Sequence, residues 1–137
     1  SLQSTVTASK AKIKISNLPK LACDPTVTKQ VFINILSNSL KYRSEDVEPI
    51  ITVTSKSLIN HTRITVKDNG IGIDLERTKN ILEPFVKLHS KDDYSGSGIG
   101  LAICKSVCDR HGWDLEIKSK LGKGTEVILT IPNEDVL

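Results

Sequence analysis

The chain has 137 residues, enough for one domain with a real core, and its 38% hydrophobic and 26% charged content is ordinary for a soluble globular protein. A net charge of +3, from 19 basic and 16 acidic residues, argues against the concentrated basic face that nucleic acid demands, and 4% aromatic content leaves no stacking platform for single strands. No run approaches the roughly 18 apolar residues needed to span a bilayer, and the N-terminus carries no secretory signal.

Ser1 to Ser9 is polar and reads as a frayed end or the tail of a preceding element. Ala11 to Leu18 alternates Ile13 and Ile15 with polar residues and reads as a strand. Asp24 suits a helix N-cap and Pro25 the first helical position, so a helix is predicted to about Arg43, with Val31, Phe32, Ile35, Leu36 and Leu40 on its apolar face. A polar turn over Ser44 to Pro49 precedes two strands, Ile50 to Thr54 and Arg63 to Lys67, joined by a loop around Asn60. Asp68 to Asp74 is a glycine turn. Glu76 to Leu82 suits a short helix that Pro84 must end or disturb. His89 to Ser97 is polar and without periodicity, as in a mobile segment.

A further helix is predicted from about Ile99 to His111, with Leu101, Ile103, Val107 and Cys108 as its core face and Gly112 as its stop. Asp114 to Ser119 and Glu126 to Ile131 are two more alternating strands, joined through Leu121 to Gly124, with Pro132 ending the last. The resulting class is α+β: a two-layer sandwich of about five strands, mixed but mostly antiparallel, with three helices on one face. Cys23, Cys104 and Cys108 have no disulfide-framework spacing and lack the partners of a zinc site, which points to reduced, buried thiols in a reducing compartment such as the cytoplasm. Asn60-His61-Thr62 matches a glycosylation sequon, but a cytosolic chain does not meet that enzyme.

Three features carry chemistry. At about 100° per residue, Asn34, Asn38 and Lys41 fall within about 60° of one another on the first helix, beside Val27 and Val31. A buried amide without partners costs about 1–3 kcal/mol, so these amides either bond neighbouring backbone or offer oxygen to a hard cation such as Mg²⁺. Lys41 is either a solvated lysine or a point charge for phosphate. Second, Asp68 stands at a strand end before Gly70 and Gly72; it either initiates a turn or accepts a hydrogen bond from an amine such as that of adenine. Third, Gly96-Ser97-Gly98-Ile99-Gly100-Leu101 runs into a helix, whose N-terminal amides form a natural phosphate site. The spacing matches neither a Walker A loop nor a Rossmann turn.

Together these segments resemble the catalytic and ATP-binding domain of sensor histidine kinases, within the group that shares the Bergerat fold. The likeness covers roughly Ile13 to Pro132. Asn34 to Tyr42 resembles the N box, Asp68 to Ile73 the G1 box, Pro84 to His89 the F box, Gly96 to Ile103 the G2 box and Gly122 to Thr125 the last glycine box. Leu88-His89 and Lys41-Tyr42-Arg43 are most similar to kinases with PAS or phytochrome sensors.

The resemblance implies an ATP and Mg²⁺ site. Asn38 would ligate Mg²⁺, with Asn34 assisting or contacting phosphate. Lys41 would pair with phosphate and Tyr42 would line the adenine or ribose side. Asp68 would receive the adenine amine, helped by a water near Thr125, with Gly70, Gly72 and Ile73 against the base. Phosphates would rest near Ser97 and on the amides of Gly98, Gly100 and Leu101 beneath a lid. Lys87 stands where the family often has arginine and would neutralise γ-phosphate charge without the bidentate fork.

ATP hydrolases of this fold place a glutamate four residues before the Mg²⁺ asparagine. That position here is Asn34, and an amide cannot take a proton from water at neutral pH. Transfer to an outside acceptor is therefore expected, and the resemblance implies a histidine on a separate dimerisation domain. None of His61, His89 and His111 sits in an amphipathic dimerising helix with an acidic neighbour, as the acceptor of the resembled family does. The expected whole is therefore a single catalytic domain, residues 1–137, whose first ten residues lead in from a preceding dimerisation helix domain. The isolated domain is expected to be monomeric, without direct membrane contact, and to feed a downstream response regulator. Competing readings are a nucleotide-binding regulatory module without transfer, a hydrolase of the same fold, and a serine kinase of the anti-sigma type.

Overall fold

The structure, a computed structural model, describes residues 10–74 and 100–137. The elements in chain order are strand β1 (Lys12–Ile15), helix α1 (Pro25–Lys41), strands β2 (Ile50–Ser57) and β3 (His61–Asp68), helix α2 (Gly100–His111), and strands β4 (Asp114–Ser119) and β5 (Thr125–Pro132). A 3-10 turn at Asn133–Asp135 follows. The five strands form one sheet in the order β1-β2-β3-β5-β4. β1 pairs parallel with β2, and the other three pairings are antiparallel. This is the predicted mixed, mostly antiparallel sheet. Two of the three predicted helices fall among the described residues; Glu76 to Leu82 lies outside them.

The α1 start follows from local chemistry. The Asp24 carboxylate accepts from the amides of Thr26 and Val27 at 3.1 and 3.5 Å, and Pro25 occupies the first turn, where its missing N–H costs nothing. α2 ends at Gly112, whose φ of +73° suits glycine, with the Trp113 amide donating back to Cys108 O at 2.9 Å.

The period-two pattern of the strands resolves into one apolar face. Val53 pairs with Val66, which pairs with Val127, which pairs with Ile117; Ile64 pairs with Leu129, which pairs with Leu115. Val31, Ile35 and Leu40 of α1 and Cys104, Val107 and Cys108 of α2 join these rows in a single buried cluster. Ile103 was expected in that core but is 38% exposed. Cys104, one position on, is the residue aimed inward, and its thiol reaches Val31 O at 3.6 Å. Burial, with Cys108 nearby, pushes the Cys104 thiol up to about 12, and burial with the neighbouring Asp109 pushes Cys108 up to about 11.

The strands differ from expectation mainly in length. β1 is shorter, because its pairing stops soon after Ile15, where Ser16 N donates to Val53 O, and Pro19 supplies no donor. The β2–β3 hairpin extends to Ser57 and His61, closed by the Leu58 amide on His61 O at 2.8 Å. Pro132 remains within β5, opposite His61. The C-terminal residues turn back on the segment before α1: Leu21 bridges Val136, and the Trp113 indole donates to Asp135 at 3.0 Å. No helix among the described residues is long and apolar enough to cross a membrane.

Leu129, paired with Ile64 and Leu115 on its two neighbouring strands, is fully buried, whereas Ile59 at the hairpin tip is 95% exposed. Leu129→Ala is expected to cost about 2–5 kcal/mol in urea unfolding, and Ile59→Ala less than about 0.5 kcal/mol. Equal losses would contradict this placement of the core.

Candidate functional site

One end of the sandwich opens into a pocket between α1, the end of β3 and the β4–β5 pair. Ile35, Ile73, Leu101, Ile117 and Val127 supply apolar wall, and Asn38, Ser39, Tyr42, Asp68 and Thr125 supply polar groups. Ile35, Asn38, Ser39 and Tyr42 lie three, four and seven positions apart, which is one stripe of α1.

Asp68, the last residue of β3, is the polar centre of this pocket. Its Oδ1 accepts from the amides of Gly70 at 2.9 Å and Thr125 at 3.1 Å, and the Ser39 side chain also hydrogen-bonds the carboxyl. Burial nevertheless outweighs these bonds and holds the carboxyl above its ordinary value of 3.8.

The turn after Asp68 is held by backbone on both sides. The Ile71 amide donates to Tyr42 O at 3.0 Å, and the Gly122 amide donates to Ile71 O at 2.7 Å. A Cβ at Gly70 would stand 2.5 Å from Tyr42 O, and one at Gly72, where φ is +77°, 1.9 Å from Lys120 O. Gly124 presses against Asp68 O in the same way, with φ +80°. These glycines let α1, the Asp68 turn and the β4–β5 turn approach one another. Asn69 pins the turn from outside: its side chain accepts from Ile50 N at 2.9 Å and donates to Glu48 O at 3.0 Å.

The structure thus gathers Asn38, Tyr42, Asp68, Ile73, Leu101 and Thr125 at one pocket. Gly70 and Gly72 shape its rim, and Gly100 begins α2 just before Leu101. Asn34 and Lys41 lie outside the pocket wall. Asn34 Oδ1 accepts from the Gln30 side chain at 2.8 Å, and its side chain also bonds the Cys104 thiol. Lys87, Ser97 and Gly98 lie outside the described residues. Sequence reasoning missed Ser39, Ser119 and, of the aliphatic wall, Ile35, Ile117 and Val127. Ser39 shares the Asn38 face of α1, and its small polar side chain among apolar neighbours was the available signal.

With this geometry the comparisons with known proteins agree. The sheet and helices match the catalytic domain of the histidine kinase ThkA in a nucleotide-free form, with a TM-score of 0.75 and 25% identity over 96% of this chain and 84% of that one. They also match full-length ShkA in complex with AMPPNP, with a TM-score of 0.79 and 24% identity over 96% of this chain and 27% of that one. Residues 23–135 match the family model for histidine kinase-, DNA gyrase B-, and HSP90-like ATPases, and the chain belongs to that family. Among curated relatives, cyanobacterial phytochrome A of Nostoc sp. is 36% identical over 131 residues, which are 96% of this chain and 17% of the relative. The chain thus spans about a sixth of the length of that protein.

The raised Asp68 pKa has a testable consequence. A carboxyl with a higher pKa folded than unfolded stabilises the fold most while protonated. That contribution is full below pH 3.8 and is lost as pH rises through the folded-state value. Asp68→Asn removes the loss and keeps an oxygen for Gly70 and Thr125. The ligand-free stability of Asp68→Asn relative to the parent is therefore expected to increase as pH climbs from 3.8 toward neutrality, measured by urea unfolding. A difference that does not change with pH would contradict the partly buried, disfavoured carboxylate.

Proposed function

We propose that this domain binds ATP with Mg²⁺ and donates the γ-phosphate to a histidine on a separate helical dimerisation domain, as the catalytic part of a cytoplasmic two-component sensor kinase. The observation that carries the nucleotide reading is Asp68, a partly buried carboxylate at the floor of an otherwise mainly aliphatic slot. Aliphatic walls suit the faces of a purine, and a carboxylate suits the exocyclic amine of adenine. Tyr42 stands on the adenine or ribose side, and Leu101 and Gly100 bring the α2 N-terminus toward the phosphates.

Among the described residues no group of three or more His, Cys, Asp or Glu side chains is placed to hold a metal. The donor set that fits is the Asn38 amide oxygen together with phosphate oxygens and waters, which is the mixed shell Mg²⁺ favours. When bound there, the ion supplies charge neutralisation on the phosphates. Lys41 lies one turn further along α1, where a lysine can meet phosphate as a point charge.

Asn34 favours an outside acceptor over water. It holds the position where a hydrolase of this fold needs a base, and it is engaged by Gln30 and Cys104. Neither an amide nor those partners removes a proton from water at neutral pH. A neutral imidazole is already a nucleophile: its nitrogen forms the new N–P bond as the P–O bond to ADP breaks. The chain's contribution is to hold the nucleotide in line and to stabilise charge. The full protein would then pass the phosphate to a response regulator.

Incubation with γ-labelled ATP and a cognate dimerisation domain is expected to yield acid-labile, base-stable label on histidine. Asn38→Ala should reduce that transfer by about 10²-fold or more, since positioning and charge stabilisation both suffer. Steady phosphate release from the isolated domain, abolished by Asn34→Ala, would instead support a hydrolase. Nucleotide binding with no transfer would support a regulatory module.

A further inference from the structure

Ser119 ends β4 behind the pocket wall, and its hydroxyl is bonded three ways: Ile73 N at 2.7 Å, Gly124 O at 2.9 Å and Thr125 Oγ1 at 2.8 Å. A serine hydroxyl has one proton and two lone pairs. The Ile73 amide can only donate and the Gly124 carbonyl can only accept. The Ser119 proton therefore goes to Gly124, and one lone pair takes the Ile73 N–H. A single lone pair is left for Thr125, so the Thr125 hydroxyl must be the donor in that bond.

The consequence falls on the pocket. Thr125 lines it, but its only side-chain proton is committed to Ser119. What Thr125 offers a ligand is lone pairs. Asp68, tied to the same residue through the Thr125 amide, offers a carboxylate that when ionised also only accepts. We infer that Ser119 is a positioning residue: by fixing the Thr125 proton it leaves the polar floor of the pocket accepting only, and so sets preference for a 6-amino over a 6-oxo purine. This rests on the nucleotide reading above. A 6-oxo group in direct contact meets acceptors from both side chains. A 6-amino group meets partners, and unpaired buried polar groups are what make such discrimination strong.

The test is a titration of ATP and inosine triphosphate against the unaltered domain, Ser119→Ala, Ser119→Thr and Thr125→Val. The unaltered domain is expected to favour ATP. Ser119→Ala frees the Thr125 proton to turn toward the pocket, and the ATP-to-inosine-triphosphate affinity ratio should fall about tenfold, the scale of one hydrogen bond. Ser119→Thr keeps a hydroxyl and should keep the ratio. Thr125→Val leaves the Ser119 bonds to Ile73 and Gly124 in place and should also lower the ratio, which keeps the test decisive if Ser119→Ala does not fold. Equal weakening of both nucleotides by Ser119→Ala, with the ratio unchanged, would overturn the inference and leave the nucleotide reading standing. Equal affinity of the unaltered domain for the two nucleotides would overturn the inference alone, and failure to bind either would overturn both.

Discussion

The pair of backbone bonds to Asp68 Oδ1 is the constraint on which the site depends. One comes from Gly70, two residues ahead in the same turn, and the other from Thr125, at the start of β5. A carboxylate partly buried at a strand end gains from such donors, because desolvation otherwise favours the neutral form. Here the donors reduce that drive without cancelling it. Thr125, 57 residues on from Asp68, is thereby fixed to the same acceptor group as the Gly70 turn. The same carboxyl touches Ser39 of α1, so helix, turn and sheet meet at a single side chain.

Close backbone approach makes that meeting possible. The Asp68 turn lies between the end of α1 and the β4–β5 turn, with Ile71 bonded to Tyr42 on one side and to Gly122 on the other. Gly70, Gly72 and Gly124 each stand where a side chain would strike a backbone carbonyl. A nucleotide-binding reading explains these glycines by the approach of a ligand. The structure gives them a prior task, which is to let the polypeptide close on itself. Ser119 completes the closure by tying Ile73, Gly124 and Thr125 to one hydroxyl.

Much of this was legible in the sequence, because it rests on local rules. Asp24-Pro25 marks the start of α1, Gly112 the end of α2, and the alternation of Val53, Ile64, Val66, Val127 and Leu129 the buried face of the sheet. Less legible was anything set by helix rotation. Ile103 has the more apolar side chain, yet Cys104 is turned inward, because the facing surface on α1 comes within reach of a small thiol. The same limit applies on α1, where Asn34, Asn38 and Lys41 share a stripe but only Asn38 lines the pocket, beside Ser39 and Tyr42. The reach of Ser119 across a turn to three partners depends on tertiary geometry that no spacing in the chain encodes.

The proposed function follows from what this frame can and cannot do to a proton. The pocket floor accepts hydrogen bonds, which selects a ligand edge that donates. The position that would activate water carries Asn34, already bonded to Gln30. An amide there supplies no base for hydrolysis, which is the ground for proposing a nucleophile brought by another domain. The central claim is that the nucleobase amine meets Asp68. The direct measurement is the carbon-13 carboxyl resonance of Asp68, followed at neutral pH during titration with ATP. The account predicts that this resonance moves with nucleotide occupancy more than those of Asp109 and Asp114, which lie outside the pocket. An Asp68 resonance that stays in place at saturating ATP would contradict it.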